Sequence, residues 1–144
     1  MGVWLRVLEI GLIFSASLGL SLILFPSPMQ MAWNGLFFGQ WAPPASFSPE
    51  AQAYIVFLYG VLGAVLVGFA LALLGLARGA LRRGERWAWN TITLSVSGWL
   101  VLDVGFSLWS GFWPNALLNL GFGVALLLPL WKLRPFAHKG VNFE

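Results

Sequence analysis

The chain has 144 residues, of which 59% are hydrophobic and only 9% charged. A water-soluble domain is nearer a quarter charged, so lipid rather than water is the expected solvent. There are no cysteines and one histidine, which excludes disulfides and thiolate metal sites and leaves little for a histidine site. The net charge of +3 reads as an orientation signal, because of where the basic residues stand.

A bilayer core about 30 Å thick needs roughly 20 apolar residues in a helix. Four stretches meet that requirement. The first, 3–25, stops at Pro26. It contains Glu9, three residues after Arg6 on the same helical face, which predicts a local ion pair near the headgroups. Arg6 before an apolar run also suits a signal peptide. Glu9 interrupts that run and no A-x-A-like site follows, so an uncleaved span is expected.

The segment 26–49 contains no Lys or Arg and is rich in large side chains. Met29, Trp33, Phe37 and Gln40 recur at helical spacing, which predicts a short helix between Met29 and Gln40 lying in the membrane interface. It would serve as an anchor on lipid, a cap over the bundle or a docking surface. Pro43 and Pro44 are expected to end it.

The second span, 51–77, follows Ser48 and Pro49, the pattern of an N-cap with proline in the first turn. The third, 87–110, follows the basic loop Arg78, Arg82, Arg83 and Arg86. The fourth, 114–131, starts at Pro114, and Pro129 in its last turn is expected to bend or end it. The segment 136–144 reads as a polar, mobile tail.

The eight basic residues all fall on one side of this layout: Arg6, the four arginines between spans two and three, and Lys132, Arg134 and Lys139. Positive residues are retained in the cytoplasm, so both termini and the middle loop are expected inside. Tryptophan gives a second signal, because the indole favours the headgroup level. Trp4, Trp87, Trp89 and Trp131 fall at the inner boundary, and Trp33, Trp41, Trp109 and Trp113 at the outer one. Only Trp99 lies mid-span.

The turn at 111–113 is too short for anything but an antiparallel hairpin. The expected fold is therefore an all-α integral membrane protein: one transmembrane domain over 1–144, an up-down four-helix bundle with a short interfacial helix in the first outer loop. Gly11, Ser15 and Gly19 of span one are spaced by four, as are Gly60, Ala64 and Gly68 of span two. Such faces allow close helix approach, either of span one against span two or in a homodimer.

No G-x-S-x-G elbow, phosphate-binding glycine loop or H-E-x-x-H occurs, and no histidine lies near a span to activate a serine. The expectation is no enzyme, no catalytic residue, no cofactor and no metal. The arginine-rich loop is expected to touch anionic headgroups, not nucleic acid.

One polar cluster stands out. Asp103 lies too deep in span three for its short side chain to reach water. Ser107 is one turn away on the same face. Folding the hairpin brings Asn119 to the same depth and Asn115 one turn further out. Tyr59 of span two, with Ser17 and Ser21 of span one, falls at similar depth. No Lys or Arg lies there, so Asp103 is expected to hold its proton or to meet a water-filled pocket. Ser107, Asn119 and Tyr59 are its expected hydrogen-bond partners.

In length and span number the chain resembles the small multidrug-resistance transporters and the DoxX-type membrane proteins. Those transporters carry a glutamate well inside the first span, whereas Glu9 is near the inner end beside Arg6, and this chain is longer. The likeness is one of architecture, and no functional residue follows from it.

Two roles are compatible with these features. The first is a non-enzymatic small membrane protein, an accessory or scaffolding subunit of a membrane complex. Its partners are the lipid bilayer and another membrane protein or a second copy. The alternative is a transporter or channel component for a proton or small solute, using the Asp103 cluster. The expected location is a bacterial inner membrane with cytoplasmic termini.

Overall fold

The computed structural model describes residues 2–42 and 47–139, with side chains described through Arg134. Among the described residues there are five α-helices: α1 Gly2–Leu24, α2 Pro26–Phe38, α3 Pro49–Leu76, α4 Arg86–Trp109 and α5 Trp113–Lys139. A π-helical turn, Ala77–Leu81, extends α3. Four of these helical segments are long and apolar enough to cross a membrane: Gly2–Leu24, Pro49–Leu81, Arg86–Trp109 and Trp113–Arg134. The chain forms two compact units, one made of the chain up to Ile13 and from Leu71 onward, the other of Phe14–Ala70.

In the first unit, α4 and α5 pack along each other, and α4 also packs on the π-helical turn. Gly111 makes the hairpin possible: its φ of 81° is a left-handed conformation that costs a side-chain-bearing residue energy. The Phe112 amide then donates to the Ser107 carbonyl at 2.8 Å, which closes the turn. At the far end of the pair, the Trp89 indole donates to the Leu130 carbonyl at 2.7 Å. Contacts that join early α4 to late α5 and late α4 to early α5 make the pair antiparallel. Ile92, Val96, Leu126, Leu130 and Leu133 are fully or almost fully buried.

Pro129 does not end α5, which continues to Lys139. Proline removes one backbone donor, and the surrounding contacts outweigh that loss. The Pro129 side chain is itself fully buried between buried neighbours Leu126, Leu130 and Leu133. The backbone is therefore helical over the first part of the expected tail. Residues 140–144, and the side chains of Phe136, His138 and Lys139, lie outside the described residues.

The π-helical turn carries the second span beyond its expected end. Its wider bonds run from the Arg82 amide to the Ala77 carbonyl at 3.1 Å and from the Glu85 amide to the Ala80 carbonyl at 3.0 Å. Ala77, Ala80 and Leu81 are buried, so packing holds the turn in place. Arg78, on this turn, reaches Glu9 of α1 at 3.6 Å. Glu9 therefore pairs with Arg78, not with Arg6, and the pair joins two helices instead of two positions on one. After the turn, Arg83 donates to Glu85 at 2.6 Å and Trp87 to the other carboxylate oxygen. These bonds hold the Glu85 carboxyl below its ordinary range, the Arg83 bond contributing most. Their contribution is present above the unfolded carboxylate pKa and is lost as pH falls through the depressed folded value.

In the second unit, α1 and α3 meet at glycine. A Cβ added to Gly19 would stand 2.8 Å from the Gly63 carbonyl oxygen and 2.9 Å from Val67. The expected α3 face of Gly60, Ala64 and Gly68 is not the contact: a Cβ at Gly60 or Gly68 would meet nothing within 4 Å. The small stripe on α1 is used in both units, since Gly11 meets Leu126 of α5 within the first.

The expected short helix is α2. It begins a turn earlier than the aromatic spacing implies, because Pro26 ends α1 and also opens α2 as a first-turn proline. Gly39, at φ 65°, caps its C-terminus and donates to the Gly35 carbonyl at 3.1 Å. Pro43, Pro44 and Ser46 lie outside the described residues. Ser48 caps α3 as its position implies, accepting a bond from the Ala51 amide at 3.2 Å.

Candidate functional site: the α4–α5 polar cluster

Asp103 lies about 9 Å along α4 from Trp109, at about 1.5 Å of rise per residue. A short polar side chain at that depth must find its partners inside the protein, and it finds three. Ser107 Oγ, one turn on, donates to Asp103 Oδ1 at 3.2 Å. Asn115 Nδ2 and Asn119 Nδ2, on successive turns of α5, donate to the same oxygen at 3.0 Å and 2.6 Å. Asn115 Nδ2 also donates to Ser107 Oγ at 2.7 Å. Ser107 thus donates a hydrogen bond to the carboxylate and accepts one from Asn115, which closes a ring of Asp103, Ser107 and Asn115 between two helices.

The geometry constrains the chemistry. Oδ1 accepts all three of these hydrogen bonds. Oδ2 receives no hydrogen bond from the described residues. Ser107 is buried, while Asp103, Asn115 and Asn119 are each partly exposed. The cluster therefore keeps one carboxylate oxygen on an accessible edge. The side chains near it on α4 are apolar: Leu102 is 75% and Phe106 64% exposed.

Of the residues expected at this site, the structure joins Asp103, Ser107, Asn115 and Asn119. Tyr59 stands on α3 in the other unit, with its side chain half-buried. Ser17 and Ser21 also belong to that unit, where the Ser21 hydroxyl donates to the Ser17 carbonyl at 3.0 Å. Among the described residues no group of three His, Cys, Asp or Glu comes together as a metal site.

Sequence reasoning missed a second polar feature. Gln30 and Asn34 of α2 are buried, and the Asn34 Nδ2 group has no hydrogen-bond partner among the described residues. Met31, Leu36 and Phe38 of the same helix are exposed. The helix turns its amides inward and its apolar side chains outward, the reverse of a helix on a soluble protein. The signal was present as two amides spaced by four. The large side chains of Met29, Trp33 and Phe37 concealed it, because their spacing is helical too.

No family model matches the chain, and neither a curated protein nor a solved structure matches it.

Proposed function

We propose that this chain is a non-enzymatic membrane protein that serves as an accessory or scaffolding subunit of a larger membrane complex. One observation carries the reading: the polar groups deep in the α4–α5 hairpin hydrogen-bond to each other. Ser107, Asn115 and one Asp103 oxygen form a ring, and Asn119 bonds to that same oxygen, so that the group fastens two helices. Large apolar side chains exposed along the helices, such as Leu94, Val101 and Val124, suit contact with lipid or with another membrane protein. Purification of the full chain from its native membrane in mild detergent tests the reading. A protein partner retained at fixed stoichiometry supports it, and a lone chain opposes it.

In this reading the four long helices form an up-down bundle in a bacterial inner membrane, with both termini in the cytoplasm. The segment α2 lies in the outer interface, its exposed Met31, Leu36 and Phe38 in lipid. At the inner boundary Lys132 Nζ sits 4.5 Å from the Trp131 ring centroid and 6.0 Å from that of Trp4. Such a cation over indole rings suits the headgroup level. The topology predicts that a cysteine at Asn115 is labelled by a membrane-impermeant thiol reagent from outside the cell, while one at Gly84 is not. Outside labelling at Gly84 would reverse the assignment.

The open Oδ2 favours a second reading, in which Asp103 carries a proton or binds a small solute during transport. That role requires an acidic side chain. Asp103→Asn preserves an acceptor for the ring, so under this reading the variant folds and loses transport. A variant that retains transport eliminates it.

A further inference from the structure

Only one oxygen of the Asp103 carboxyl is accounted for. Three donors saturate Oδ1, and nothing in the described chain meets Oδ2. A carboxylate in an apolar span is expensive unless a cation or a proton offsets it. Among the described residues no Lys or Arg pairs with Asp103. Within the same unit, Arg86 stands at the opposite end of α4, and Lys132 and Arg134 at the opposite end of α5. A second copy carries the same sequence and lacks one there as well. A metal ion is poorly served, because the surrounding side chains offer hydrogens to the carboxylate instead of converging oxygens on its open edge.

The geometry points to a docking contact: Asp103 Oδ2 receives a basic side chain from an apolar helix of the partner subunit, forming an ion pair within the membrane. This inference rests on the accessory-subunit reading and names the chemistry of the partner. Charge complementarity selects it, since Asp103 is acidic and partly exposed and its neighbours along α4, Leu102 and Phe106, are exposed and apolar. The form of the acceptor narrows it further. Arginine prefers to bridge both carboxylate oxygens, and here one oxygen is already saturated. A lysine ammonium, a compact charge on a flexible stem, fits a single free oxygen better.

The test uses the full chain in its native membrane. Phe106, three residues from Asp103, is replaced by the photoreactive p-benzoylphenylalanine, and adducts are mapped by mass spectrometry. The expected adduct is with an apolar span of another protein that carries a lysine or arginine. Its yield should fall at least tenfold in Asp103→Asn and persist in Asp103→Glu, which keeps the charge. Elution of all variants as single species in detergent shows that they fold. An adduct with a span that has no basic residue, or one unaffected by Asp103→Asn, overturns the ion pair while leaving the accessory-subunit reading intact. Adducts only with lipid or with another copy of this chain overturn both.

Discussion

Replacing Gly63 by leucine is expected to cost about 3 kcal/mol of stability or to prevent folding altogether, at the upper end of overpacking penalties. A Cβ at Gly63 would stand 2.5 Å from the Gly19 carbonyl oxygen, 2.9 Å from Ile23 Cγ1 and 3.0 Å from Leu22 Cβ. Two of these atoms belong to backbone or to the stem of a side chain, so neither can swing away. Relief requires α1 and α3 to separate, and separation forfeits the dispersion contacts that hold helices together in lipid. Gly60 and Gly68 supply the control. Each lies on α3 with open space where a Cβ would be, so leucine there should change stability by no more than about 0.5 kcal/mol. Thermal unfolding of the purified variants in detergent measures the difference. Equal losses at Gly60 and Gly63 would contradict the close crossing.

Asp103→Leu is expected to destabilise the α4–α5 hairpin by about 2 kcal/mol, taking three hydrogen bonds at an average of about 0.6 kcal/mol each in membrane bundles. In a water-soluble core the same three orphaned donors would cost more, roughly 1–3 kcal/mol apiece. The smaller figure applies because hydrogen-bonding groups also find partners in the membrane-unfolded state. Asp103→Asn retains an oxygen for Ser107, Asn115 and Asn119, and should lie within about 0.5 kcal/mol of the parent. The contrast between the two variants is the informative quantity, read from reversible unfolding in detergent. If both lose the same stability, the ring is not what holds these helices together.

The spans were legible because three independent constraints act on them: length, basic residues and tryptophan. The cluster was legible for a different reason. A short hairpin turn fixes the register of α4 against α5, so rise per residue alone brings Asn119 to the depth of Asp103 and Asn115 one turn further out. The tight turn constrains nothing about Tyr59, which belongs to the other unit. The same lack of local constraint concealed three other features. Glu9 pairs with Arg78, far away in sequence, whereas spacing reveals only Arg6. A glycine-rich helix offers small residues on more than one face, and Gly63 rather than the Gly60–Gly68 stripe meets Gly19. Pro129 signals a helix end locally, yet its burial among leucines sustains α5 to Lys139.

The claim at the centre of this account is that the chain works as a subunit of a membrane complex. Native mass spectrometry of particles released from the source membrane, with the bilayer lipids retained, addresses it most directly. The account predicts a heteromeric mass in which this chain and a second membrane protein appear in a whole-number ratio. A mass corresponding only to one or two copies of this chain, with stability that rises on addition of a small solute, would contradict it.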